Sequence, residues 1–204
     1  MSRRTTTSRT RPARRQTTAR VITELSGPAI CAVTGLMVVA IRNAGSGAGA
    51  AWGGFAALFV AGVPMAYIAK GVKDGKWSDH HVTERAHRAI PLLIALGSVA
   101  SCAALLAAVD APRELTALIL AMLAGLAVVL AVTHWWKVSI HTAVAGGLLA
   151  TLVVLFGSWA LLGIPVLAAI AWSRTVLDAH TWPQVLTGSL LGALAAASVF
   201  PPLR

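Results

Sequence analysis

Charge is what this 204-residue chain has least of. Only 12% of its residues are Asp, Glu, Lys or Arg, and just seven of them are acidic, whereas an ordinary soluble domain carries about 25% charged residues. With 57% of the chain hydrophobic, too few polar side chains remain to coat a water-facing core, so lipid is expected to be the outer solvent. Cysteine is scarce too. Cys31 and Cys102 both lie inside apolar stretches and read as small buried hydrophobes, which excludes a disulfide framework or a thiolate metal site. Asp79 beside His80 and His81 is the nearest thing to a metal cluster, and it lacks regular ligand spacing. No metal is expected. The formal net charge of +10 does not point first to nucleic acid, because in a membrane protein Lys and Arg mark the loops that stay on the cytoplasmic side.

What is present is long apolar runs. A spanning helix needs roughly 20 mostly apolar residues, and seven candidates occur, near 24–41, 51–69, 91–109, 114–134, 140–157, 158–172 and 184–200. The expected fold is an all-α, polytopic transmembrane bundle of about six or seven spans. Gly157-Ser158 is the one break between the fifth and sixth stretches, so these form either a tight hairpin of tilted helices or a partly re-entrant segment. Small residues such as Gly146, Gly147, Gly188 and Gly192 favour close helix packing where no hydrophobic drive separates helix from lipid. Residues 1–20 carry seven arginines and no large apolar side chain; they are expected to form a disordered basic tail touching anionic headgroups. Residues 21–204 then form a single membrane-embedded domain, and the apolar stretch after the tail is too long for a cleaved signal.

Following the chain through these spans from the tail places fourteen of the seventeen Lys and Arg residues on one side, leaving Arg42, Arg113 and Arg204 on the other. By the positive-inside rule the N-terminus and the richer face are cytoplasmic, in an integral protein of the cell membrane. All six histidines fall on that same face, as do Trp77, Trp135, Trp136, Trp172 and Trp182. A tryptophan belt is expected at any interface. Six histidines at one level, drawn from three separate segments, point to chemistry.

Three stretches carry the candidate site: Lys76 to Arg88 (KWSDHHVTERAHR), Lys137 to His141 (KVSIH) and Ser173 to His180 (SRTVLDAH). Phosphoryl transfer needs a nucleophile, an acid for the leaving oxygen and fixed positive charge around the phosphate oxygens. Imidazole serves as nucleophile or acid, and guanidinium matches phosphate oxygens with a planar fork. Ser139, ahead of an apolar helix, is equally suited to cap it.

The Ser-Arg-x5-His and Ser-x-His segments resemble the third and second signature motifs of the type 2 phosphatidic acid phosphatase superfamily, membrane phosphatases of lipid phosphates and prenyl diphosphates. The resemblance covers residues 76–192. It implies that His180 is a nucleophile forming a phosphohistidine, that His141 protonates the leaving group, and that Ser139 and Arg174 hold the phosphate without a metal or other cofactor. Arg88, with Arg85 and Lys76 close behind, stands for the family's first motif, although neither the Lys-x6-Arg spacing nor the following Pro is matched. The Pro and Gly of the second motif are replaced by Val138 and Ile140. Where the family places an orienting Asp four residues after the nucleophile, this chain has Gln184, and Asp178 is an alternative source of negative charge.

The expected substrate is thus a membrane-borne lipid phosphate or prenyl (di)phosphate. Two other readings remain beside it: a non-catalytic lipid-phosphate binder or transporter on the same scaffold, and a magnesium-dependent prenyltransferase, for which the acidic residues Asp74, Asp79 and Glu84 form no tight pair.

Overall fold

The computed structural model of the chain describes residues 14–75 and 89–204. Helix α1 (Arg14–Leu25) is followed by α2 (Pro28–Ala44), α3 (Ser46–Ala57), a π-helical turn (Leu58–Gly62) and α4 (Val63–Lys73). Then come α5 (Ala89–Ala108), α6 (Arg113–Trp135), α7 (Ile140–Phe156), a 3-10 segment (Gly157–Gly163), α8 (Ile164–Val176) and α9 (Trp182–Leu203). Pro28 and Pro183 sit in first turns, where a missing N–H costs no helical bond, while Pro64 and Pro165 follow directly on the π turn and the 3-10 segment.

Five helical runs are long and apolar enough to cross a bilayer: Ser46–Lys73, Ala89–Ala108, Arg113–Trp135, Ile140–Val176 and Trp182–Leu203. The pair α1 and α2, bent by 42° at Ser26-Gly27, makes a sixth when taken as one broken span. The outer surface is correspondingly apolar: on α9, Leu186, Leu190 and Leu194 recur every fourth residue and are 55%, 61% and 62% exposed. In water so continuous a stripe would be an aggregation site; in a bilayer it is the face that meets lipid. The chain is a multi-pass helical membrane protein.

The 37-residue run Ile140–Val176 is not one rod. Helices α7 and α9 pack parallel and in register: the Ser139 amide donates to the Gln184 carbonyl, the Thr142 hydroxyl to the Val185 carbonyl, and Arg204 at the far end of α9 to the Val154 carbonyl. The chain between them must therefore return, and it turns at Gly157, whose φ of +69° suits a residue without Cβ. Both sequence expectations for this region, a hairpin of tilted helices or a partly re-entrant segment, include such a return. The contact is close because α9 presents glycine to α7: a Cβ on Gly188 or Gly192 would collide with the Ser139 or Ala143 carbonyl.

Residues 14–20, expected to lie in a disordered tail, form the first half of α1. The missing signal was a packing partner, because α1 lies along α8 and buries Ala19 and Thr23 there. Residues 51–69, expected as a single plain span, form part of a longer run interrupted by the π turn. At that turn the Ser98 hydroxyl of α5 donates to the Phe59 carbonyl at 2.7 Å, supplying a partner outside the ordinary helical ladder.

The bundle has two chemically different ends. At one, Arg42 pairs with Glu114 at 3.5 Å and lies over the Phe156 ring, with the Arg204–Val154 bond alongside. Toward the other lie α1 and the ends of α4, α6 and α8, so that Arg14, Arg15, Arg20, Lys70, Lys73, Lys137 and Arg174 fall there among the described residues.

Candidate functional site

At this basic end the Ser-Arg-x5-His spacing acquires a geometric meaning. Helix α8 ends at Val176, and the chain turns through Asp178, whose φ of 52° is left-handed. The turn carries the Ala179 and His180 amides back onto one acceptor, the Arg174 carbonyl, at 3.1 and 3.2 Å. Arg174 and His180 are thereby fixed to each other through backbone. The intervening residues are the length needed to close that turn.

His141 reaches the same place from another helix. Ser139 caps α7, its hydroxyl accepting from the Thr142 amide at 3.4 Å. The Ser139–Gln184 and Thr142–Val185 bonds, at 3.3 and 2.8 Å, fasten this helix start to the start of α9, immediately after His180. Hydrogen bonds of this kind between helices hold position where the hydrophobic effect cannot. His141, Arg174 and His180 are each at least 94% buried, and all three line one cavity of about 410 Å³.

One contact favours a particular tautomer of the His180 imidazole. Gln184 Oε1 accepts from the Thr181 amide at 3.2 Å and lies 3.2 Å from His180 Nδ1. A backbone N–H only donates, so the Gln184 atom is oxygen, and the ring nitrogen facing it must carry the proton. In the neutral ring Nε2 then holds the lone pair, the form a nucleophile requires. Thr181 and Gln184 make a reciprocal capping box at the start of α9, which holds Gln184 in place.

The structure separates the remaining candidates. Ser139 is fully buried, is absent from the cavity wall, and uses its hydroxyl to cap α7. Asp178 is exposed and makes no hydrogen bond to His180; its place is the left-handed turn, which Asp tolerates better than most residues, and Gln184 is the residue that meets the ring. Lys76, Arg85 and Arg88, with Trp77, His80, His81 and His87, lie outside the described residues. His134 is exposed at the end of α6, its ring edge-on to Trp135. Among the described residues no three His, Cys, Asp or Glu side chains gather as metal ligands.

Two site residues escaped the sequence reading. Thr23, 2% exposed, places its hydroxyl 3.0 Å from Ser173 Oγ and accepts from Arg174 Nη1 at 3.5 Å. Glu24, next to it, lines the cavity. Both belong to α1, where Arg and Thr obscure any apolar periodicity, and nothing in the local sequence links them to Arg174.

No family model matches the chain, and neither the curated proteins nor the solved structures contain a significant match.

Proposed function

We propose that this protein is an integral membrane phosphatase hydrolysing a lipid phosphate or prenyl (di)phosphate through a phosphohistidine on His180. The observation that carries this reading is the convergence of His141, Arg174 and His180 on a single cavity from the ends of three helices. His180 Nε2 attacks phosphorus, forming a P–N bond as the P–O bond to the lipid breaks. His141 gives its proton to the departing oxygen, and Arg174 balances charge on the phosphoryl oxygens. Water then attacks the phosphohistidine, losing its proton to His141, and releases phosphate from the restored imidazole. The resemblance to the type 2 phosphatidic acid phosphatase superfamily supports the same roles, and the gathering of described cations at this end supports a cytoplasmic active face.

The test is release of inorganic phosphate from detergent-purified protein, using phosphatidic acid, phosphatidylglycerol phosphate and prenyl phosphates and diphosphates. His180→Ala is expected to abolish release and Arg174→Gln to lower it by at least a hundredfold; unchanged turnover in His180→Ala would reject the nucleophile. A second reading, a binder or transporter of lipid phosphates, draws on Gln184, since an amide stabilises an imidazolium less than a carboxylate would. Saturable binding of the same lipids without turnover selects that reading.

A further inference from the structure

The cavity does not stop at the polar cluster. Thr151 lies on its wall ten residues beyond His141 along α7, a depth of about 15 Å at 1.5 Å per residue. Val99 on α5, Ala121 on α6, Ala196 on α9 and Val60 in the π turn lie ten to fourteen residues, about 15–21 Å, from the basic end of their own helices. These residues form an apolar floor near the middle of the bundle. Even Thr151 contributes little polarity, since its hydroxyl donates to the Gly147 carbonyl of its own helix at 2.9 Å. The space is amphiphilic end to end: imidazoles, a guanidinium and the Glu24 carboxylate line its basic end, and Met65, Met122, Leu126 and Leu148 are among its walls. Its 410 Å³ falls within the range of about 300–1,000 Å³ typical of small-molecule sites.

We infer that the hydrocarbon tail of the phosphate ester is held inside this cavity, reaching down to Val99, Ala121, Thr151 and Ala196, and is not left in the surrounding bilayer. This rests on the proposed function for the phosphate end and adds the tail's location. Floor depth then selects tail length. Because lipid is as apolar as the cavity, transfer alone gives little affinity; selection comes from fit, with a tail too long for the floor forced to fold or to lift its phosphate away from His180.

The probe is dodecylphosphonate with a diazirine at the tail end, whose C–P bond survives any phosphatase activity. It is photolysed with the full-length protein in lipid nanodiscs, and labelled peptides are mapped by mass spectrometry. Label is expected on the segments holding Val99, Ala121 and Thr151, with at least tenfold competition by unlabelled dodecyl phosphate, while a probe with a trimethylammonium head leaves them unlabelled. Val99→Phe and Ala121→Leu, which raise the floor from two different helices, are each expected to cut floor labelling at least fivefold. Label confined to the outer Leu186, Leu190 and Leu194 stripe, or floor label independent of the head, overturns the inference whether or not either variant folds. Dodecyl phosphate is assayed alongside for phosphate release. His180-dependent release without floor labelling sinks the tail site alone; floor labelling without release sinks the phosphatase reading alone.

Discussion

The Thr23 hydroxyl lies 3.0 Å from the Ser173 hydroxyl, joining residues 150 positions apart. The Ser173 hydroxyl also bonds the Ile170 carbonyl at 2.8 Å, and Thr23 accepts from Arg174. The first helix of the protein thus reaches the guanidinium assigned to phosphate. Replacing Thr23 by Val keeps the shape and removes the bonds, leaving buried polar groups short of a partner at a cost of about 1–3 kcal/mol. Thr23→Val is expected to raise KM several-fold with a smaller change in kcat, and Thr23→Ser to restore both. Steady-state phosphate release from the two variants is the check, and equal impairment in both would remove the hydroxyl from the explanation.

Gln184 Oε1 lies 3.2 Å from His180 Nδ1 and favours a proton there, so losing this oxygen should be felt in turnover. Gln184→Leu is expected to lower kcat by about ten- to a hundredfold, at or below the usual scale of proton-transfer effects. Gln184→Glu keeps the acceptor and adds a charge that favours imidazolium, so turnover should be equal or higher. Nitrogen-15 NMR of labelled histidine reports the tautomer directly: a proton on Nδ1 of His180 in the parent protein, and a mixed population in Gln184→Leu.

Asp178 is expected to tolerate what a catalytic carboxylate would not. Asp178→Gly and Asp178→Asn both accept a left-handed backbone, and phosphate release should stay within about twofold of the parent protein. Asp178→Val meets the steric penalty of that conformation, about 1–2 kcal/mol, and should lower thermal stability in detergent by that amount. Loss of turnover in Asp178→Asn with unchanged stability would return the residue to the reaction.

The α7–α9 contact makes a contrast between two glycines. A methyl on Gly192 would enter the Ala143 carbonyl, whereas a methyl on Gly125 would meet the Ala195 Cβ at an ordinary 3.5 Å. Gly192→Ala is expected to destabilise by at least the ~1–3 kcal/mol of core overpacking and to weaken phosphate release, because His141 and His180 sit at the head of that contact. Gly125→Ala should be near neutral or stabilising. Thermal unfolding of the two variants in one detergent compares them.

Much of the architecture was legible because membrane spans announce themselves by length and hydropathy: the stretches 91–109, 114–134, 140–157 and 184–200 match α5, α6, α7 and α9 to within a residue of falling inside them, while 158–172 begins in the 3-10 segment and ends in α8. The Arg174-to-His180 spacing was legible too, since one short turn determines it. What the sequence could not show were relations that depend on a partner far along the chain. Residues 14–20 look disordered when read alone and become helical against α8. Ser139 reads equally as ligand or cap until the Thr142 amide is seen to meet it. Asp178 sits two residues from His180, yet the left-handed turn between them leaves it exposed, while Gln184, four residues on, is brought to the ring by the capping box.

The parallel pairing of α7 and α9 has an electrostatic consequence. Antiparallel neighbours largely cancel their peptide dipoles, whereas two helices beginning at the same level add theirs, and each N-terminus contributes roughly half an elementary charge. At this level α4, α6 and α8 also end, however, and their negative C-terminal poles oppose those of α7 and α9. The sign of the field in the cavity is therefore left to its side chains, and any preference for anions should be lost with the Arg174 charge.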